Sequence, residues 1–169
     1  MVEPAVVLKV GDGAPDFCLP DKDQRTVCLH EYQGTWVVLY FYPRDNTSGC
    51  TREAVAFTNA LGEFAELHAV VIGVSGDSVE SHGKFIQKHR LTVTLLSDTT
   101  HEILKRYGVW QRKQLYGKEF WGTIRSTFLI GPGGKIAEIW RNVKVEGHAE
   151  AVKRRLAELH AKNGDREAH

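Results

Sequence analysis

The 169-residue chain has the length of one domain and enough apolar material for a core without staples, at 42% hydrophobic and 25% charged residues with a formal net charge of +1. No block of like charges runs along it, which excludes nucleic acid and an anionic membrane surface as expected partners. No apolar run approaches the roughly 20 residues of a bilayer span, and the N-terminus MVEPAVVLKVGDGAPDF lacks the basic-then-apolar layout of a signal peptide, so the expected address is the cytoplasm.

In chain order, DFCLP and RTVCLH read as two short strands around the turn-like DKDQ, an N-terminal β-hairpin. TWVVLYFYP holds a nearly continuous β-branched and aromatic run, Trp36 to Tyr42, which suits a strand covered on both faces. From Thr51 to Leu67 the apolar residues Val55, Phe57, Leu61, Phe64 and Ala65 recur at close to helical spacing. AVVIGVS, Ala69 to Ser75, predicts a second buried strand and Ser78 to His89 a helix. TVTLLSD predicts a further strand, and His101 to Tyr107 a short helix. STFLIG and KIAEIWR flank PGG, a hairpin with a glycine turn. GPGG therefore joins two strands rather than opening a helix, which excludes a phosphate cradle. A helix over Ala149 to His160 and a polar segment close the chain. This order predicts a three-layer α/β domain around a mixed sheet over residues 1–162, with a polar tail at 163–169.

Three cysteines, Cys18, Cys28 and Cys50, are too few for a disulfide scaffold, and no C-x-x-C pair supports structural zinc. His82, His89, His101, His148 and His160 show no ligand spacing either, so no metal is expected. In the hairpin, Phe17 and Leu19 share one face, as do Val27 and Leu29, leaving Cys18 and Cys28 on the other. If pairing centres on the middle of the hairpin, the two sulfurs come close enough to bridge. Two unrelated small residues are the plainer reading, and resolution of Cys50 by one of them is a third.

Cys50 follows the Trp36–Tyr42 strand by one short loop, in DNTSGCTREA, where a helix begins. Thr47 and Ser48 are both candidates for the N-cap, which puts Cys50 in the first turn. Unpaired amide N–H groups and the positive end of the helix dipole favour an anion there, the setting in which thiols become reactive. Read alone, Cys50 equally suits a small residue packed on the sheet. Pro43 ends the strand and shapes the loop, and Thr47 carries a hydroxyl that both donates and accepts. Gly49 permits close backbone approach or an unusual dihedral. Glu53, in the same first turn, is placed to steer an arginine.

Taken together, FYPRDNTSGCTREA contains a P-x-x-x-T-x-x-C pattern and resembles the peroxiredoxins, most closely their PrxQ, or bacterioferritin comigratory protein, group. GDGAPDFCLPD, GVSGDSVESHGKF, LLSD, YGVW, GTIRSTFLIGPGGKI and GHAEAV fall in the order expected of that group, over roughly residues 9 to 155. The resemblance implies a thioredoxin-like fold and a thiol-dependent peroxidase that reduces hydrogen peroxide and organic hydroperoxides without metal, flavin or haem. It makes Cys50 the peroxidatic cysteine, oxidised to a sulfenic acid, and Thr47 the hydrogen-bond partner of sulfur and peroxide. Pro43 becomes the shield from water. Arg125, in IRSTF, becomes the distant guanidinium that completes the cluster, with backbone N–H groups around Gly49 and Cys50 beside it.

The chain departs from the commonest pattern of that family in one respect. Many members carry a second cysteine five residues after the first, where Val55 stands here, and others carry it in the following helix, whose sequence SVESHGKFIQKH contains none. The expectation is a one-cysteine cycle with an external reductant, whether thioredoxin, glutaredoxin or a small thiol, in a monomer or a dimer. A thioredoxin-like disulfide reductase is a rival, but it needs two exchanging thiols and TSGC supplies one. A peroxide sensor that hands its oxidation to a partner protein would carry the same site. Trp110, Phe120 and Trp121, just before Arg125, read first as core residues and second as an aromatic rim to the pocket.

Overall fold

The computed structural model describes residues 7–167; residues 1–6 and 168–169, which include the start of the N-terminal segment and the end of the polar tail, lie outside it. β1 (Cys18–Pro20) and β2 (Thr26–Cys28) form the expected hairpin. Its turn is closed by the Asp21 carboxylate, which accepts from the amides of Asp23 and Arg25, both at 2.9 Å. A 3-10 turn over Leu29–Tyr32, too short to show in the periodicity, leads into β3 (Trp36–Phe41). Then come α1 (Ser48–Glu66), β4 (Ala69–Ser75), α2 (Val79–His89), β5 (Thr94–Ser97) and α3 (Glu102–Arg106). β6 (Trp110–Leu115), β7 (Lys118–Thr123), β8 (Ser126–Ile130), β9 (Ile136–Trp140) and α4 (His148–Glu167) complete the chain.

The main sheet has the order β5-β4-β3-β8-β9, with β3, β4 and β5 parallel and β8 and β9 antiparallel, which is the mixed sheet expected. All six residues of β3 are buried because the strand is central and covered on both faces. Side-chain alternation divides them between two layers. Trp36, Val38 and Tyr40 pack with Phe57, Phe64, Phe85 and Leu156 from the helices, in the layer that holds Cys50. Val37, Leu39 and Phe41 pack with Phe17, Leu29, Leu104 and Tyr107 on the opposite face, under the N-terminal hairpin. Full burial of Phe57 and Phe64 contributes about 2–3 kcal/mol each to holding α1 on the sheet.

Two parts of the chain differ from expectation. Residues 110–123 form a second hairpin, β6–β7, closed by a two-residue turn at Tyr116 and Gly117, both with positive φ (52° and 75°). Phe120 and Trp121 are exposed on it, so neither is a core residue; this hairpin is a separate two-stranded sheet whose other face has little to pack against. Trp110, at its base, is half-buried and stacks on His101 at 4.0 Å. Secondly, α4 continues to Glu167, through most of the segment read as a polar tail. KNGDRE holds no proline, and its one glycine does not end the helix.

Candidate active site

The site forms where the carboxyl end of β3 meets the start of α1. β8 pairs antiparallel with β3 in a register that sets Ser126 opposite Phe41. Arg125, the residue before β8, therefore arrives beside the loop that carries Cys50, although 75 residues separate the two in sequence. Its backbone is fixed from behind, since the Val143 amide donates to the Arg125 carbonyl at 3.0 Å.

Cys50, with 1% of its surface exposed, is the free thiol of the chain. It lies on the buried face of α1 with Glu53, Ala54 and Phe57. The Arg125 guanidinium is shared between two residues of that face: Nη2 donates to Cys50 Sγ at 3.2 Å, and Nη1 donates to Glu53 Oε1 at 2.6 Å. A planar fork with several fixed donors suits this double contact, which an ammonium cannot make in the same way. Glu53 is 2% exposed, and its second oxygen finds no partner among the described residues. Burial pushes its carboxyl up to about 7, against the pull of Arg125 in the other direction.

Gly49 supplies room for the guanidinium. A Cβ at that position would stand 3.2 Å from Arg125 Nη2, so close approach, rather than an unusual dihedral, is what glycine provides here. Thr47 occupies the N-cap position of α1, but its side chain makes no capping bond; the hydroxyl donates to the Arg44 carbonyl at 2.9 Å and is exposed. That bond commits the proton and leaves the oxygen lone pairs open. No hydrogen bond joins Thr47 to Cys50. Pro43 is exposed at the first position of the loop.

Sequence reasoning missed what holds this loop. Asp45 is buried, and its carboxylate accepts from Tyr42 Oη at 2.7 Å and from Ser81 Oγ at 2.8 Å. It also takes His82 Nδ1 at 2.7 Å, and the other ring nitrogen faces the Leu96 carbonyl at 3.0 Å. The Asp45 amide donates to Asp77 Oδ2 at 2.9 Å, which also accepts from Ser75 Oγ at 2.7 Å. Asp45, Asp77 and His82 lie close enough to hold a cation, but these side chains are already engaged with one another and with their neighbours. The network ties the loop to β4 and α2. A histidine three residues before Phe85 on the apolar face of a helix was the available signal.

Three further groups surround Arg125. His148 Nε2 lies 2.8 Å from Thr127 Oγ1, and burial, then the guanidinium charge, hold the ring down at about 4. Lys113, on β6, is pushed below the ordinary lysine range by burial and by Arg125. Val145 borders the same space at Gly49 that the guanidinium enters.

Cys18 and Cys28 are directly paired across the hairpin and joined by a disulfide, so the reading of two unrelated small residues is corrected. The main-chain bonds explain it. Leu29 donates to Phe17 and Asp21 to Arg25, which makes the Cys18–Cys28 pair one of the non-hydrogen-bonded type, where facing side chains stand closest. Their Cα atoms are 4.0 Å apart. The bridge lies across the sheet from Cys50, since the hairpin packs on the Val37, Leu39 and Phe41 face.

Comparison with known proteins agrees with this architecture. The sequence profile of the AhpC/TSA family matches residues 10–139. Peroxiredoxin Bcp of Bacillus subtilis (strain 168) is 48% identical over 148 residues, covering 87% of this chain and 94% of its own. Peroxiredoxin Bcp of Escherichia coli (strain K12) is 39% identical over 145 residues, covering 86% and 93%. A mutant of PrxQ from Xylella fastidiosa superposes with a TM-score of 0.86 at 40% identity, over 92% of this chain and 99% of that one. The bacterioferritin comigratory protein of Xanthomonas campestris, studied for its alkyl peroxide reduction activity, gives 0.82 at 39% identity, over 85% and 92%.

Proposed function

Because the chain belongs to the AhpC/TSA family and is a peroxiredoxin, a thiol peroxidase, we propose that Cys50 is the sulfur that meets the peroxide and that Arg125 is its principal partner. The observation that carries this reading is the guanidinium divided between Cys50 Sγ and Glu53. The attacking species is the thiolate. Its lone pair forms a bond to the terminal peroxide oxygen, the O–O bond breaks, and the electron pair leaves on the distal oxygen, which takes a proton to become water or an alcohol. Cys50 is left as a sulfenic acid.

Donors aimed at the departing oxygen do most to lower such a barrier. Arg125 supplies a charged donor beside sulfur. The first-turn amides of α1 supply neutral ones, because the first backbone bond of the helix is made by Thr51 to Thr47 and the amides before it have no intrahelical partner. Thr47, with its proton on the Arg44 carbonyl, is set to accept from the hydroperoxide proton and so orient the incoming molecule. Pro43, at the lip of the loop, limits water.

The sulfenic acid is reduced from outside the chain. Val55 stands where a near cysteine would be, α2 carries no sulfur, and Cys18 and Cys28 are bonded to each other on the opposite face of the sheet. Thioredoxin, glutaredoxin or a small thiol fits this step, and the cytoplasm, where such thiols are held reduced, fits the cycle. Among the described residues no helix is long and apolar enough to cross a membrane. The proposed substrates are hydrogen peroxide and organic hydroperoxides, and the proposed assembly a monomer.

Dimedone trapping after one equivalent of peroxide tests the assignment by intact mass and peptide mapping. A stable adduct on Cys50 is expected. A peptide linking Cys50 to Cys18 or Cys28, with no adduct, would overturn the one-cysteine cycle.

A further inference from the structure

The Cys18–Cys28 bridge is not the sole tie on its hairpin. Phe17, Leu19 and Leu29 bury that segment in the core, and Asp21 closes the turn with two side-chain hydrogen bonds. The bond nonetheless sits at the surface, with Cys18 exposed and Cys28 buried beneath it. Exposed disulfides are the ones open to thiol exchange.

A histidine stands beside it. A ring nitrogen of His30 and the sulfurs of Cys18 and Cys28 all lie within 4.8 Å of one another. His30 is itself oriented by Asp16, whose carboxylate takes Nδ1 at 2.8 Å and accepts from the His30 amide at 3.1 Å. What burial Asp16 has would raise its carboxyl, yet its contacts with His30 and the backbone hold it below the ordinary value. A carboxylate that fixes an imidazole next to sulfur is the arrangement that serves thiol chemistry as acid and base. His30 and Asp16 also form one wall of a cavity of about 280 Å³, completed by Tyr32, Gln33, Thr35 and the Gly131–Gly134 turn. Neither sulfur lines that cavity; His30 is the residue it shares with the sulfur pair.

We propose that Cys18, Cys28, His30 and Asp16 form a second redox centre, a thiol–disulfide exchange site separate from Cys50, whose substrate is a small-molecule thiol or a protein dithiol. An external thiolate attacks the exposed Cys18 sulfur and forms a mixed disulfide. The Cys18–Cys28 bond breaks, Cys28 leaves with the electron pair, and the His30 imidazolium protonates it. A second thiolate attacks the external sulfur of the mixed disulfide, releasing the oxidised reductant and leaving Cys18 reduced. Two thiols thus supply the two electrons that open one bond, and the reductant is of the class that the peroxidase cycle already requires.

The test uses the full chain carrying Cys50→Ser, so that the pair is its sole redox-active sulfur. The protein is equilibrated in buffers of graded reduced-to-oxidised glutathione, alkylated and weighed, and its reduction by dithiothreitol is timed. The pair is expected to pass reversibly from oxidised to reduced within the glutathione range, with the far-ultraviolet circular dichroism unchanged. His30→Asn should slow reduction at neutral pH about tenfold or more, and Asp16→Asn by less. In the chain that keeps Cys50, His30→Asn should leave peroxide consumption unchanged. A bond that stays oxidised across all the buffers, or a reduction rate indifferent to His30→Asn, would overturn the proposal without touching the role of Cys50.

Discussion

Replacing Glu53 by glutamine separates what the carboxylate does for stability from what it does for the site. In the folded chain its carboxyl is raised from an ordinary 4.5 to about 7, chiefly by burial. The native state therefore binds this proton more tightly than the unfolded chain does. The stability it contributes is fully present below pH 4.5 and is lost as pH rises through about 7. At roughly 1.4 kcal/mol per pH unit, that interval amounts to about 3 kcal/mol. Glutamine keeps the shape and the acceptor for Arg125 Nη1 but never ionises. Glu53→Gln should therefore match the parent in urea unfolding near pH 4 and exceed it by about 3 kcal/mol at pH 8, the gap opening by roughly 1.4 kcal/mol per pH unit only between pH 4.5 and about 7. Peroxide reduction should move the other way at pH 8, because the guanidinium loses the anion that anchors it beside sulfur. A stability difference that is the same at pH 4 and pH 8 would show that burial of Glu53 carries no titration penalty, and the reasoning would fail.

Three further substitutions probe the same constellation. Arg125→Lys keeps the charge but cannot hold Cys50 and Glu53 with one fork, and stopped-flow kinetics should find the peroxide rate constant lowered about a hundredfold; a loss under roughly threefold would deny Arg125 its role. Gly49→Ala places a methyl 3.2 Å from Nη2, so the rate should fall about tenfold while the helix gains a few tenths of a kcal/mol, and an unchanged rate would mean that the guanidinium position does not matter. Asp45→Asn leaves His82 facing an amide inside the core, which should cost about 2 kcal/mol or more in urea unfolding, and an unaltered midpoint would show that the loop is held by something else.

Much of the fold was legible because periodicity and covering agree. Trp36 to Phe41 has no charged residue and lies between two layers, and the alternation of cysteines with apolar residues in the first hairpin offered the facing pair as one alternative, though not the preferred one. β6–β7 was missed for the opposite reason: Gln111, Arg112, Lys113 and Gln114 carry no buried face to give it a pattern, and its turn uses Tyr-Gly instead of Asn-Gly. In the site, Cys50, Gly49 and Glu53 were singled out by motif and spacing, and Arg125 only through the family resemblance. Asp45 and His82 were not, since a carboxylate in a loop and a histidine in a helix gain meaning only when the fold brings them within 2.7 Å. Thr47 shows the limit from the other side. Its position was right, but which group takes its proton depends on where the Arg44 carbonyl points, and no spacing rule contains that.

Around Arg125 the chain has buried two groups that resist charge in opposite senses. Glu53 resists losing its proton until about pH 7, and His148 resists gaining one until about pH 4, burial being the first cause in each case. For His148 the folded value lies below the ordinary 6.5, so its stability contribution is present above pH 6.5 and is lost as pH falls toward 4. Between pH 4.5 and 6.5 the folded chain therefore holds one extra proton on Glu53 and lacks one on His148, relative to the unfolded chain. The two pH slopes cancel, and the pair contributes a flat stability across that window. What does change with pH is the demand on the guanidinium. Below about 7 Glu53 is neutral and merely accepts from Nη1; above it, the carboxylate also holds the fork beside the sulfur by charge. The fixed positive charge beside Cys50 is thus surrounded by neighbours whose own charging is costly, so it is spent on the sulfur and on the peroxide that reaches it.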